Sequence, residues 1–333
     1  MKNLFENTQL AGFTKLFPLD TNLLRSLTVA AILVTAACSS LEEEPVELNV
    51  DAALDQAVFT TAGAAALAFA QAVVNGDEEV LYDLLGDDYR KVLPLDEIDR
   101  EDVENYVDAW EGSNSLLPQG ENKVLIVVGE DQWTLPIPIV KGTAGWYFDI
   151  EEGLERMRIR QIGRNELATM QAVLAYYDAQ QEYAEEDHNG DGMLEYAQKL
   201  LSAPGSQDGL FWEVESGEAL SPLGPLMGDD TPDGGYYGYH YRILKSQGES
   251  AKGGAYNYLS GDRMWAGFAL IAWPIEYGES GIMSFLVSHS GIVYEQNLGP
   301  EGSETAKNMP SYDPDTDWLP IQEVSSILEH VTP

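Results

Sequence analysis

The residues best suited to chemistry form a short acidic stretch in the second half of the chain. Asp187, Asn189 and Asp191 alternate along it, and a glycine occupies the sixth position counted from Asp187. This spacing matches the first half of an EF-hand calcium loop, where alternate side chains turn toward one cation and glycine makes the sharp turn. Met193 would supply its carbonyl oxygen and Glu195 its carboxylate, directly or through water. The pattern predicts a structural Ca²⁺ site with these five residues as ligands.

The calcium pattern is incomplete at its far end. The twelfth position, where an EF-hand carries a bidentate glutamate, is Gln198, which indicates weak affinity or a different last ligand. The alternative is an Asn-Gly and Asp-Gly turn that holds no metal. Residues 313–317, which contain three aspartates, present the same choice between a second cation site and a solvated turn.

Three arginines concentrate positive charge in an otherwise acidic chain. Arg158, Arg160 and Arg164 lie within one short segment. Because guanidinium groups bind carboxylate and phosphate oxygens in pairs, the segment predicts an anion site. The alternative is that these arginines are internal counter-charges for nearby carboxylates at the junction of two domains.

A dense group of tyrosines predicts a different kind of site. Alternation along a strand would place Tyr237, Tyr239 and Tyr241 on one face of a sheet. Aromatic rings on such a face form a platform for a sugar or a peptide. The alternative is that the three rings are ordinary sheet-covering residues, since aromatic residues favour strands.

Compact catalytic motifs are missing from the sequence. The four histidines, at positions 188, 240, 289 and 330, do not follow the zinc-binding spacing H-E-x-x-H, and no G-x-S-x-G elbow is present. We therefore predict a protein that binds or scaffolds and is not an enzyme. The alternative is a hydrolase that acts on a cell-envelope polymer, with its site at the domain junction near residues 158–164 and His240.

The single cysteine, Cys38, marks the end of an apolar run, residues 26–37, that basic residues precede. The run is shorter than the roughly 20 residues that span a membrane, and it has the form of an export signal. Because small residues lead directly into Cys38, the segment resembles a bacterial lipobox, in which the cysteine becomes the lipidated first residue. The protein is then exported and anchored to the cell envelope, on the periplasmic face of the outer membrane if the organism is Gram-negative. The alternatives are an ordinary secretory signal and a free buried thiol.

The charge balance limits the possible partners. The chain carries 56 acidic and 18 basic residues, a net charge of −38. Such a surface repels nucleic acid and anionic lipid, so neither is an expected partner. The expected partners are the membrane, through the anchor at Cys38, and an envelope polymer or protein. Hydrophobic residues make up 44% of the chain, which is enough to build packed cores.

The hydrophobic pattern divides the chain into four parts. Residues 1–37 form the signal peptide and residues 38–57 an acidic tether. Residues 58–150 form a domain of helices followed by a meander, and residues 151–333 a domain with a long helix, the calcium-like loop and an antiparallel sheet. The predicted fold class is α+β, with two small domains that each pack helices on an antiparallel sheet.

Spacing and capping residues place the elements inside these domains. The first predicted helix is capped by Thr60 or Thr61, runs to Val74 and is ended by Asn75-Gly76. The other predicted helices cover residues 78–85, capped by Asp77, about 97–110, and 166 to about 185, capped by Asn165. The predicted strands cover residues 123–128, 133–141, 146–150, 238–244, 264–274, 281–288 and 291–298. Pro136 and Pro138 cannot donate to a ladder, so their strand should lie at an edge or carry a bulge.

Three resemblances follow from these motifs. Helices followed by a sheet that ends in Gly-Trp-Tyr-Phe, residues 145–148, resemble part of the cone-shaped nuclear-transport-factor-2-like fold. The Ala-Trp-Pro, Phe-Leu-Val and Gly-Ile-Val segments of the last strands resemble the globular part of type IV pseudopilins. Longer segments, such as WTLPIPIV and GFALIAWPIEYGESGIMSFLVSHSGIVYEQNLGP, resemble the exported bacterial family known as domain of unknown function 2950 over residues 59–318. That resemblance implies export and a shared architecture, and no activity.

Overall fold

The computed structural model describes residues 49–51, 55–93, 98, 100–213, 220–223 and 235–321. The chain divides into two compact units, Met1–Arg158 with His330–Pro333, and Ile159–Glu329. Both combine helices with antiparallel sheet, which confirms the predicted α+β class. The division falls after Arg158, inside the helix Ile150–Tyr183, whereas the predicted boundary lies after residue 150. The predicted signal peptide and Cys38 lie outside the described residues.

The first unit begins its helical part with α1 (Ala62–Asn75) and α2 (Glu78–Leu85). The hydroxyl of Thr61 accepts the backbone N–H of Ala64 at 3.2 Å, and Gly76 ends α1 in the left-handed conformation. Asp77 caps α2 in the same way. The short α3 (Tyr89–Val92) and α4 (Arg100–Gly112) follow. Local caps thus set both ends of α1 as the sequence predicts.

The sheet of the first unit contains five strands, β3 (Asn114–Pro118), β4 (Lys123–Val128), β5 (Trp133–Thr134), β6 (Ile139–Lys141) and β7 (Trp146–Phe148). Their order is β3-β4-β6-β7, and β5 also pairs with β4. The predicted strand 133–141 is two short strands, since the prolines at 136 and 138 interrupt the ladder between β5 and β6. Strand β3, with the largely exposed sequence Asn-Ser-Leu-Leu-Pro, escaped prediction because its apolar and polar residues do not alternate.

Part of the predicted tether is ordered structure. β1 (Asn49–Asp51) pairs antiparallel with β2 (Gln56–Val58), and Ala57 is fully buried. The prediction of an acidic tether up to residue 57 is therefore wrong for the C-terminal part of that segment, where residues 49–51 pair with residues 56–58. Ala57 and Phe59 pack into the core of the first unit instead, and residues 38–48 lie outside the described part of the chain.

The longest helix, α5 (Ile150–Tyr183), begins in the first unit and ends in the second. The prediction that Asn165 caps a new helix is wrong, because Asn165 lies inside α5. Its side chain donates to the carbonyl of Ser280 at 2.8 Å and accepts from Gln161 at 2.7 Å. A tertiary partner therefore overrides the local tendency of asparagine to start a helix.

The second unit is built on a five-stranded antiparallel sheet. Its long strands are β8 (Tyr239–Leu244), β13 (Ala269–Pro274), β14 (Ser284–Ser288) and β15 (Val293–Gln296), and β16 (Leu319–Pro320) lies at one edge. Their order in the sheet is β16-β15-β14-β13-β8. Every residue of β13 and β14 is buried. This burial on both faces agrees with the mostly apolar sequences of these two central strands. The four predicted strands of this domain are confirmed in type, and each is shorter than predicted.

Smaller elements complete the second unit. Two short pairs join β9 (Ser246–Gln247) to β10 (Tyr256–Asn257), and β11 (Leu259–Ser260) to β12 (Arg263–Met264). α6 (Gly302–Asn308) lies against β13. No helix in the described residues is long and apolar enough to cross a membrane.

Candidate functional site

The acidic loop of the second unit follows α5 and is folded by its own side chains. The carboxylate of Asp187 accepts three backbone N–H groups, those of Gly190 at 2.8 Å, Asp191 at 3.3 Å and Gly192 at 2.7 Å. These bonds, the one from Gly192 above all, lower the pKa of the Asp187 carboxyl. Asn189 accepts the N–H of Asp191 at 3.0 Å. The side chains of Asp187 and Asn189 therefore fold the loop by hydrogen bonds to its own backbone.

A guanidinium group supplies positive charge to this loop. Arg263 donates to one carboxylate oxygen of Asp191 at 2.5 and 3.0 Å, and to the sulfur of Met193 at 3.1 Å. Asn189 donates its amide to Glu195 at 2.6 Å, and burial followed by the charge of Asp191 raises the pKa of Glu195. In the described part of the chain, no group of three or more His, Cys, Asp or Glu side chains is arranged to hold a metal ion. The five predicted ligands thus share one loop, and Arg263 binds two of them, Asp191 and Met193.

The three tyrosines of the predicted platform do not share an exposed face. Tyr239 is fully buried and donates its hydroxyl to the carbonyl of Met283 at 2.9 Å. Tyr241 is partly buried, with its hydroxyl 3.3 Å from Thr169, and Tyr237 lies in a turn before β8, exposed and with a φ of 49°. Strand alternation fails here because β8 begins only at Tyr239. The predicted platform is therefore wrong for this group.

The predicted anion site is divided between the two units. Arg158 binds Glu155 within the first unit at 2.7 Å, and Arg164 donates to Gln161 in the second. Arg160 also belongs to the second unit. The pairing of Arg158 with a carboxylate one turn earlier agrees with the counter-charge alternative for that residue.

Each of the three histidines in the described residues has a different set of neighbours. His188 stacks on the ring of Tyr183 at 4.0 Å and lies 5.5 Å from the ring of Trp212. His289 lies 3.4 Å from the hydroxyl of Tyr256, and burial lowers its pKa. His240 packs against Trp273, while His330 lies outside the described residues. The alternative of a hydrolase near His240 stays a prediction.

Two carboxylates near the central sheet of the second unit interact without sharing a hydrogen bond. Glu166 accepts the backbone N–H groups of Ile282 and Met283, both at 3.0 Å. Burial, and then the negative charge of Glu166, raises the pKa of Glu295 on β15. Glu295 therefore keeps its proton to a higher pH in the folded protein than in the unfolded chain.

A pH dependence follows from Glu295. A carboxyl whose pKa is higher in the folded state stabilises the fold below its unfolded pKa, and this contribution is lost as the pH rises through the folded pKa. The free energy of unfolding should therefore decline as the pH rises above about 4, near the ordinary pKa of a glutamate. Glu295→Gln removes the titrating group and should make this decline smaller. Urea unfolding over a pH series measures this, with the exposed Glu279→Gln as the control of equal charge. Identical pH profiles for the two variants would contradict the role given to Glu295.

Sequence reasoning missed a cavity in the first unit. It has a volume of about 190 Å³, and helices α1, α2 and α4 form its walls together with the β5 segment. The apolar wall includes Phe69, Val73, Leu81, Val103, Tyr106 and Trp133. Nothing in the sequence pattern distinguishes these residues from ordinary core positions, because helical spacing shows which face is buried and not whether the space is filled.

One charged residue lies at the opening of this cavity. Among the described residues that line it, Glu78 is the only charged one. Its carboxylate accepts from Arg90 at 2.8 Å, and both side chains are more than half exposed, at 57% and 56%. Glu78 therefore faces the cavity on one side and solvent on the other. The arrangement can hold an apolar group inside and a polar group at the opening.

Comparison with known proteins places the chain in a family. The family described as "Protein of unknown function (DUF2950)" matches residues 56–321. The chain belongs to this family. The DUF2950 match takes in most of both units, including the acidic loop and the cavity. No curated protein and no solved structure matches the chain, so the resemblances to pseudopilins and to nuclear-transport-factor-2-like folds stay predictions.

Proposed function

We propose that this DUF2950 protein is an exported, lipid-anchored binding protein of the cell envelope that performs no chemistry itself. In this proposal it holds a small apolar ligand in the cavity of the first unit. The observation that carries the proposal is the apolar cavity of about 190 Å³ with one carboxylate at its opening. An apolar cavity of about 150 Å³ is known to stay dry and to take up a benzene-sized molecule, and small-molecule sites combine an apolar wall with few polar groups.

The cellular location in this proposal rests on the sequence. Residues 1–37 act as the export signal, and Cys38 carries the lipid that holds the protein at the envelope, on the periplasmic face of the outer membrane in a Gram-negative cell. The membrane is the partner of the anchor, and an envelope molecule or protein the partner of the soluble part. Because the net charge of −38 repels anionic surfaces, an attached lipid is a suitable way to keep this chain at a membrane.

A structural Ca²⁺ in the loop of Asp187, Asn189, Asp191, Met193 and Glu195 belongs to the same proposal. The hydrogen bonds that fold Asp187, Asn189 and Glu195 into one short loop support it. Displacement of Arg263 from Asp191 would free a carboxylate oxygen for the metal. The ion would fix the loop after α5.

A cavity-filling substitution tests the binding proposal. Val73 lines the cavity, whereas its neighbour Val74 is exposed and does not. Val73→Phe should weaken the binding of benzyl alcohol at least about ten-fold, because a ring larger than the valine side chain occupies the space. Val74→Phe adds the same ring at the surface and should leave the affinity unchanged.

The protein for this test is the full chain carrying Cys38→Ser, which prevents lipidation and so avoids detergent that would itself enter an apolar cavity. Isothermal calorimetry measures the affinity, and a thermal melt of each variant verifies that it is folded. We expect millimolar or tighter binding to the unmodified cavity. An absence of benzyl alcohol binding at millimolar concentration, or equal affinities for the two phenylalanine variants, would overturn the proposal.

A further inference from the structure

We infer that the cavity selects neutral or positively charged ligands that carry one ring or a short aliphatic group, and that Glu78 sets this preference. The inference rests on the proposed binding function and adds the chemical class of the ligand. It depends on three features of the first unit: the size and aromatic wall of the cavity, the position of Glu78, and the pair that Glu78 forms with Arg90.

The size and wall of the cavity favour a ligand with one ring. The rings of Phe69 and Tyr106 meet edge to face, with centroids 6.2 Å apart and an interplanar angle of 89°. Trp133 contributes a third aromatic side chain to the wall. Aromatic surfaces bind a further ring by stacked or edge-to-face contacts. A volume of about 190 Å³ leaves room for one such ring with a short substituent.

The charge at the opening disfavours an anion. An anionic ligand would place its charge next to the carboxylate of Glu78, and Asp77 and Glu79 flank Glu78 in the sequence. Moving a charged group out of water is unfavourable unless the group gains an opposite charge or hydrogen bonds. The net charge of −38 also lowers the concentration of anions near the surface and raises that of cations. An amine on the ligand, by contrast, finds its partner in Glu78.

Arg90 does not prevent this role of Glu78. The Arg90–Glu78 pair is more than half exposed on both sides, and ion pairs of this kind hold their partners weakly. Arg90 also lies over the ring of Tyr89, with its guanidinium carbon 5.4 Å from the centroid, and donates to the Tyr89 hydroxyl at 2.9 Å. That hydroxyl in turn donates to Glu78 at 3.4 Å. A ligand ammonium group can therefore replace the guanidinium at Glu78 or share the carboxylate with it.

Three ligands of matched shape test the inference. Benzyl alcohol, benzylamine and benzoate are neutral, cationic and anionic at pH 7, and each carries one ring. We expect benzylamine to bind the full Cys38→Ser chain at least as tightly as benzyl alcohol does, and benzoate to bind at least about ten-fold more weakly than benzylamine. Glu78→Gln should weaken benzylamine binding about ten-fold and change benzyl alcohol binding less than about two-fold.

The adjacent variant Glu79→Gln supplies the matched control, because it removes the same charge from an exposed position that does not line the cavity. Equal losses of benzylamine affinity in the two variants would overturn the role of Glu78. Benzoate binding as tight as that of benzylamine, and weakened by Arg90→Gln, would overturn the charge preference while the proposed binding function stands. Failure of all three ligands to bind would overturn both.

Discussion

Replacing Gly281 by alanine is expected to destabilise the second unit by about 3 kcal/mol. A methyl group at this position would overlap the hydroxyl of Tyr239 and lie 2.5 Å from the ring carbon that bears it. The Tyr239 side chain is fully buried and its hydroxyl donates to Met283, so the ring has no free space into which to move. Overpacking of a core costs about 1–3 kcal/mol, and a lost buried hydrogen bond costs about 1–3 kcal/mol more.

Gly163→Ala is the matched control for this substitution. Gly163 lies inside α5, and a methyl group there meets nothing within 4 Å. Alanine in a helix interior is favoured over glycine by about 0.5–1 kcal/mol, so this variant should be slightly more stable than the natural chain. Urea unfolding followed by circular dichroism measures both changes. Unaltered stability in Gly281→Ala would contradict the close packing of Tyr239 against residue 281.

Calcium is expected to raise the melting temperature of the full chain through one site in the acidic loop. Because the last ligand of an EF-hand is replaced by Gln198, we expect a weak dissociation constant of about 10⁻⁴–10⁻³ M. A ligand at one hundred times its dissociation constant stabilises the native state by about 2.7 kcal/mol. The rise in melting temperature should disappear in Asp187→Ala, which removes the first ligand of the loop.

Removing Arg263 should have the opposite effect on calcium binding. The guanidinium holds an oxygen of Asp191 that the metal needs, so Arg263→Ala should tighten Ca²⁺ binding about ten-fold. Lys307→Ala, an exposed change of equal charge on α6, controls for the net charge. Calorimetric titration of Ca²⁺ into chelator-treated protein gives the affinities. If calcium at millimolar concentration has no effect, the loop is a turn that Arg263 closes. Equal affinities in the two variants would contradict the role given to Arg263.

Local signals predicted the parts of the fold that depend on neighbouring residues. Thr61, Gly76 and Asp77 cap the first two helices because their side chains or backbone angles satisfy helix ends within a few residues. The continuous apolar runs of β13 and β14 likewise identified the centre of the second sheet. Predicting these elements requires no information about contacts between residues that are far apart in the sequence.

The sequence alone could not predict positions that depend on contacts with residues far away along the chain. Asn165 has the character of a helix cap, but its amide is bound by Ser280, more than one hundred residues away. Arg263 is likewise distant in sequence from the Asp191 carboxylate that it binds. The cavity escaped prediction for another reason. Phe69 and Val73 have the spacing of core residues, and the space between helices and sheet depends on how all the walls pack together.

Methyl NMR spectroscopy of the full Cys38→Ser chain decides whether the cavity binds a ligand. Benzyl alcohol is titrated into protein labelled at the methyl groups of leucine, valine and isoleucine. The binding proposal requires saturable shifts concentrated at Val73, Leu81, Val103 and Leu135, which line the cavity, and the loss of these shifts in Val73→Phe. Shifts confined to other residues, or no saturable shift at all, would show that the cavity is not a binding site.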